Sequence, residues 1–253
     1  MKKMKGKKMA TDKAYKVLAL QQGISNKKAK ELIDRGLVFV EDKKVKIARA
    51  DIHTDTIFRI EYPEDIEILY QDEDIIAINK PAQVDSYEIQ DAIDGAELLH
   101  RLDRDTSGVL LLGKNREFIE KAIKEFKNRR VEKYYVAWVE GVIYEKIVID
   151  EPIFTVKKGK AFSMIDPVRG RKAHTVVKPE ELQGKKSKVN IEITTGRTHQ
   201  IRVHLAHVGH PVVGDEQYGS RTQSKRVLLH SSKIKILDYE FNAVEPKDIA
   251  RYK

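Results

Sequence analysis

The densest run of charge in this 253-residue chain is His100-Arg101-Leu102-Asp103-Arg104-Asp105-Thr106-Ser107-Gly108, which leads directly into the apolar Val109-Leu110-Leu111-Leu112. A loop this charged entering a buried strand either stays solvated or pairs its charges in a cleft, because an unpaired buried charge is expensive. The solvated alternative is a surface turn whose arginine–aspartate pairs add little stability. The cleft alternative is a carboxylate poised for catalysis.

Two further segments crowd polar groups into apolar surroundings. In Lys133-Tyr134-Tyr135-Val136-Ala137-Trp138-Val139-Glu140-Gly141, strand alternation places Tyr135, Ala137 and Val139 on one face and Tyr134, Val136 and Trp138 on the other. Most of these side chains read as core packing, and one tyrosine at the strand's mouth could stack on a nucleobase. In Thr195-Gly196-Arg197-Thr198-His199-Gln200-Ile201-Arg202-Val203-His204-Leu205, Gly196 and Thr198 read as a turn into a capped helix carrying Arg202. His199, His204, His207 and His210 invite a metal reading. Only 204 and 207 share a helix face, and no glutamate base stands between two ligands, so no metal is expected.

These segments need a core to position them. About two-fifths of the residues are apolar, which supplies one, and wholesale disorder is not expected. There is no cysteine. That excludes disulfides, thiolate metal sites and cysteine nucleophiles, and it fits a reducing cytoplasm. No apolar run approaches the roughly 18 residues of a membrane helix, and the basic Met1 to Lys8 lacks the apolar stretch of a signal peptide. A soluble, cytoplasmic protein is expected, away from membranes and acting as a monomer.

The net charge of +9 is unevenly spread. Residues 1–62 hold 16 basic and 8 acidic side chains, whereas the remainder holds 32 and 31. A local surplus of this kind attracts polyanions and is released from them by salt, although it also describes a solvated tail.

The first quarter reads as a compact α/β module. A helix through Ala14–Leu20 stops at Gly23, and Ser25 caps a second helix over Asn26–Arg35 that ends at Gly36. Strands are expected at Val38–Val40, Val45–Ile47 and Thr56–Tyr62. Lys27, Lys28 and Lys30 at the start of the second helix would make a phosphate seat with its N–H groups. Gly23-Ile24-Ser25, Lys30-Glu31-Leu32-Ile33 and Gly36-Leu37-Val38 make this region resemble the RNA-binding module named after ribosomal small-subunit protein four.

After a linker at 63–65, residues 63–253 read as an α+β domain on a large, mainly antiparallel mixed sheet. Strands are expected at Ile66–Tyr70, Asp74–Lys80, Val109–Leu112, Tyr134–Val139, Ile147–Ile149, Thr175–Lys178, Val189–Thr194 and Val227–Leu229. An amphipathic helix is expected over Asn115–Asn128, and residues 82–99 read as loop with a short helix.

Taken together, the three polar segments resemble the RluA family of pseudouridine synthases. The match runs through His100–Asp103 and Asp105–Gly108. It continues along Lys133-x-Tyr135-x-Ala137-x-Val139-x-Gly141, then Gly196–Leu205, then Gly209–Asp215. Lesser echoes are Asn79-Lys80-Pro81 and Leu229-His230. The resemblance spans about residues 66–245 in order. One departure is the stretch after Lys80-Pro81-Ala82, where the family commonly places a glycine- and histidine-containing segment and this chain has Gln83-Val84-Asp85-Ser86-Tyr87.

The resemblance implies cofactor-independent isomerisation of uridine in RNA, with large-subunit ribosomal RNA favoured and transfer RNA open. It makes Asp103 the essential carboxylate, which could attack the sugar, attack the base or remove a sugar proton. Arg202 would hold Asp103 ionised and oriented, as a guanidinium is suited to do. Tyr135 would stack on the target uracil or help remove its C5 proton, Arg101 would fill the stack vacated when the uridine is flipped out, and Arg197 would touch phosphate. Two rivals share parts of this pattern. A non-catalytic ribosome-assembly factor gives no reason for Asp103, Tyr135 and Arg202 to occur together. A metal-dependent hydrolase using the histidines predicts loss of activity to a chelator.

Overall fold

The computed structural model describes residues 10–41, 43–60, 66–156 and 161–252, so the basic Met1 to Lys8 and the linker at 63–65 lie outside the described residues. The chain divides into two compact units, residues 1–64 and 65–253.

The first unit contains β1 (Thr11–Lys13), α1 (Ala14–Gln22), α2 (Asn26–Asp34), β2 (Val38–Val40), β3 (Lys43–Lys44), β4 (Asp51–His53) and β5 (Arg59–Ile60). The Ser25 hydroxyl accepts the Lys28 N–H at 3.1 Å, so the expected cap forms, and α1 stops at Gly23. Leu18, Ala29, Leu32, Ile33, Val38 and Phe58 close a small core. The strand expected at Val45–Ile47 is not there. Lys43 and Lys44 pair with β2 instead, and Val45 turns against the core. The β4 pairing with β1 was not foreseen, because three-residue strands this polar carry no alternation to read. Of the run expected over Thr56–Tyr62, Arg59–Ile60 forms a strand, and its last two residues lie outside the described set.

The second unit begins with β6 (Glu67–Gln71), β7 (Ile75–Lys80), α3 (Ser86–Asp91), β8 (Glu97–Leu98), β9 (Ser107–Gly113) and α4 (Arg116–Lys127). It continues with β10 (Glu132–Glu140), β11 (Ile147–Ile149), β12 (Ile153–Val156), β13 (Phe162–Ile165), β14 (Thr175–Gln183) and β15 (Lys186–Ile193). It ends with α5 (Gln200–His207), β16 (Leu229–Ile236), β17 (Tyr239–Asn242) and α6 (Lys247–Ala250). Ten strands form one sheet, ordered β11-β14-β15-β10-β16-β9-β7-β6, with β17 added to β16 and β8 to β9. Of these pairings only β16 with β9 is parallel, which gives the α+β, mainly antiparallel mixed sheet.

Strand β9 explains the unbroken apolar run after Gly108. Leu110 and Leu112 enter the core on one face of the sheet while Val109 and Leu111 enter the core on the other, so no position needs a polar side chain. Helix α4, capped by the Asn115 side chain, lays Phe118 and Ala122 on the second of these cores. The strand expected at Val227–Leu229 lies later, at Leu229–Ile236. There Ile234 and Ile236 face inward between half-buried lysines, a period-2 signal partly hidden by lysine. The hairpin of β12 and β13 and the strand β17 were not anticipated.

Where β9 starts, the chain needs a glycine. Gly108 has φ +109°, and a Cβ on it would lie 2.2 Å from the Ser231 carbonyl oxygen of β16. That close approach fixes the end of the charged loop against the sheet.

Candidate active site

The loop carrying Asp103 is pinned on both sides of that residue. Before it, the Ser86 hydroxyl accepts the Leu102 N–H at 3.1 Å and donates to the Leu102 carbonyl at 3.0 Å. After it, the Arg104 carbonyl accepts from the Gln83 N–H at 2.7 Å and from the Lys80 ammonium at 3.2 Å. Lys80 also donates to the carbonyls of Pro81 and Val84, both at 2.8 Å. With its neighbours so held, Asp103 keeps its side chain 24% exposed, enough to meet a ligand.

Arg202, in the first turn of α5, comes up against this carboxylate from the other side. Its Nη1 lies 3.4 Å from Asp103 Oδ2. Its firmer partner is Asp215, which takes Nε at 2.6 Å and Nη2 at 2.8 Å in a buried, bidentate pair. Burial works against the guanidinium's charge. The Asp215 hydrogen bonds and charge outweigh it, with Asp103 and Asp105 adding, and hold the Arg202 pKa above its ordinary value. Arg202 therefore presents one fixed positive edge to Asp103, while Asp215 holds its opposite edge.

Around this pair the wall is aromatic. The Arg202 guanidinium lies 5.0 Å from the Tyr218 ring centroid, and Tyr218 stacks on Phe162 at 5.4 Å. His199 Nδ1 shares a 2.8 Å hydrogen bond with the Tyr218 hydroxyl, and its Nε2 stands 4.0 Å from Asp103 Oδ2. The turn into α5 differs from the expectation of a side-chain cap. His199 occupies the cap position in left-handed conformation, φ 55°, without a capping hydrogen bond. Gln200 organises the turn instead, its Oε1 accepting from the Thr195 hydroxyl at 2.7 Å and the Arg197 N–H at 3.1 Å.

Tyr135 lies on β10 opposite Ser231, beside a bulge, and is buried. Burial raises its phenol pKa and the Asp103 charge adds to this, with only the Ser231 hydroxyl acting in the opposite direction. Asp103, Arg202 and Tyr135 are thus brought to one place. Arg101 is at the surface, its guanidinium 5.7 Å from the Tyr87 ring centroid. Arg197 donates from Nε to the Lys172 carbonyl at 3.1 Å. Lys27, Lys28 and Lys30 lie on α2 of the other unit. Lys28 pairs there with Glu31 at 2.9 Å, and Lys30 lies over the Tyr15 ring at 4.2 Å.

The histidines have other employment. His204 engages Thr175 Oγ1 and the Glu151 carbonyl, each at 2.9 Å, and His210 engages the Glu140 carbonyl at 2.8 Å. Sequence reasoning gave no role to Asp215, Lys80, Ser86 or Tyr218. Asp215 stood in the quoted motif directly after an apolar run, and an acidic residue entering a core was the signal available.

Comparison with known proteins follows the same residues. A family model described as RNA pseudouridylate synthase matches residues 74–207. An uncharacterized RNA pseudouridine synthase of Helicobacter pylori (strain J99) is 46% identical over 239 residues, 94% of this chain and 98% of that protein. The ribosomal large subunit pseudouridine synthase C of Buchnera aphidicola (subsp. Schizaphis graminum) is 32% identical over 77% of this chain and 72% of its own length. Among solved structures, human RNA pseudouridylate synthase domain containing 1 aligns with a TM-score of 0.63 and 30% identity, covering 73% of this chain and 84% of that one.

Proposed function

Because this chain belongs to the RNA pseudouridylate synthase family, and is thereby an RNA pseudouridine synthase, we propose that it acts on large-subunit ribosomal RNA with Asp103 as the essential carboxylate. The observation that carries the assignment of Asp103 is its partial exposure in a loop pinned on both sides, facing a guanidinium whose charge is fixed by a second carboxylate.

The reaction breaks the bond between the ribose C1′ and uracil N1 and joins C1′ to uracil C5. The C5 proton leaves and N1 gains one, so the composition of the RNA is unchanged. No water enters the sugar chemistry, in contrast to glycoside hydrolysis with its paired carboxylates, and a site closed to solvent favours this outcome. Arg202 keeps Asp103 ionised and aimed, and Tyr135 contacts the uracil as a neutral phenol. The target uridine must leave its stack to reach Asp103, and Arg101 fills the gap. Large-subunit RNA is preferred because the Buchnera relative is named for it. The first unit, with its surplus of lysine, adds affinity for RNA.

The test uses ribosomal and transfer RNA carrying tritium at uridine C5, purified protein, chelator and no added cofactor. Tritium should appear in water from ribosomal RNA, and Asp103→Asn should release none while binding RNA almost as well as the parent. Full activity in Asp103→Asn would remove Asp103 from its role. Release from transfer RNA alone would move the substrate.

A further inference from the structure

Beside the reaction pocket lies a group of cations without anions. Lys133 is two residues along β10 from Tyr135, a rise of about 7 Å, and only 8% of it is exposed. Its Nζ donates to the Thr195 carbonyl at 3.1 Å and lies 3.7 Å from where a Cβ on Gly196 would stand. Arg197 follows directly, tethered by Nε to the Lys172 carbonyl. Arg129 stands in the turn before β10 at φ 59°, and Arg171 is held by a backbone bridge to Ile153. Among the described residues none of the four has a carboxylate within 4.0 Å, whereas Arg116, Lys121, Arg130, Arg169, Lys188, Arg226 and Lys235 each have one.

Besides that carbonyl, the Lys133 ammonium has the Phe126 ring at 6.0 Å and no anion, and a buried ammonium is costly unless an anion completes it. The titration behaviour agrees: burial and then the Arg197 charge pull the Lys133 pKa down to about 8. Arg197 is lowered by burial, then by Arg171 and Arg129. Mutual repulsion of this kind is relieved by a shared negative ligand.

We propose that Lys133, Arg197, Arg171 and Arg129 form a seat for a backbone phosphate of the RNA, next to the nucleotide being isomerised. Lys133 is its floor and the three arginines are its rim. The seat rests on the RNA-modifying reading but not on any particular target. Lys133 shares β10 with Tyr135, and Arg197 precedes the helix that carries Arg202, so the seat is placed to hold the strand on one side of the flipped uridine.

The experiment measures binding of a fluorescent uridine 12-mer between 50 and 300 mM salt. The parent protein is compared with Lys133→Met, Lys133→Arg, and the pair Arg129→Ala/Arg171→Ala, with Lys235→Met as a control. Loss of one neutralised phosphate should reduce the slope of log affinity against log salt by about 0.7 in Lys133→Met and in the arginine pair. Lys133→Arg should restore the slope, and Lys235→Met, which removes a half-buried cation already paired with Glu240, should leave it unchanged. A parental slope in the arginine pair would overturn the seat, and because both residues are exposed this arm stands even where Lys133→Met fails to fold. Tritium release by the parent protein is scored separately, so an inactive enzyme and an absent seat are told apart.

Discussion

Asp103 owes its position to the residues that hold its loop and its guanidinium partner. Arg202 divides its guanidinium, giving two hydrogen bonds to Asp215 and one longer contact to Asp103, so the charge facing Asp103 is held by a rigid fork rather than a floating side chain. Lys80 does comparable work beneath the loop. It is wholly buried, and burial, opposed by Asp105, Asp103 and Asp85, lowers its pKa to about 7. Three carbonyls within 3.2 Å suit an ammonium and its three N–H groups. The unfolded lysine titrates near 10.5, so between pH 7 and that value the unfolded chain binds the extra proton and stability rises with pH. Below pH 7 both states are protonated and this dependence ends. Compared with Lys80→Met, the parent should gain about 2 kcal/mol between pH 7 and pH 9, at 1.36 kcal/mol per unit, in urea unfolding at the two values. An unchanged difference would mean that Lys80 does not titrate in this range.

Among the elements, the junction of β9 and β16 decides most. It is the parallel pairing of the sheet, it starts at the residue where the charged loop ends, and it works only because Gly108 admits the Ser231 carbonyl. Gly108→Ala should cost about 4 kcal/mol or more, at the upper end of single substitutions, and should take activity with it. Gly184→Ala is the matched comparison: its φ is +59° but nothing lies within 4 Å, so only the left-handed penalty of about 1–2 kcal/mol applies. Thermal unfolding of the two variants separates close approach from backbone strain. Strands β9 and β10 were legible in the sequence because burial on both faces leaves long apolar runs. The β12–β13 hairpin was not, since Phe154 and Met164 pair across short strands flanked by charge. The segment from Gln83 to Leu99, unpatterned in sequence, proved to hold Ser86, one of the pins of the loop that carries Asp103.

Over the whole molecule, charge is spread unevenly along the chain. The first 62 residues carry 16 basic and 8 acidic side chains, and the rest is close to balance with 32 and 31. Non-specific affinity for RNA and chemistry on uridine should therefore separate. A chain lacking residues 1–62 should bind ribosomal RNA more weakly and with a flatter salt dependence, yet still release tritium from a short labelled RNA. A slope equal to the parent's would remove the first unit from RNA binding.

By itself the sequence determined the α+β class, and it singled out the charged loop before β9 and the trio Asp103, Tyr135 and Arg202. Each of these is written locally, in a charged loop before an apolar run, in period-2 alternation, or in a motif of adjacent residues. Only the tertiary structure decided what those residues lean on. Asp215 reaches Arg202 from 13 positions away and Lys80 reaches the Arg104 carbonyl from 24. The cations of the proposed seat come from the turn before β10, from β10 itself, from the approach to β14 and from the turn before α5. Contacts between distant segments leave no spacing to read, because they are set by sheet order and loop closure rather than by neighbours in the chain.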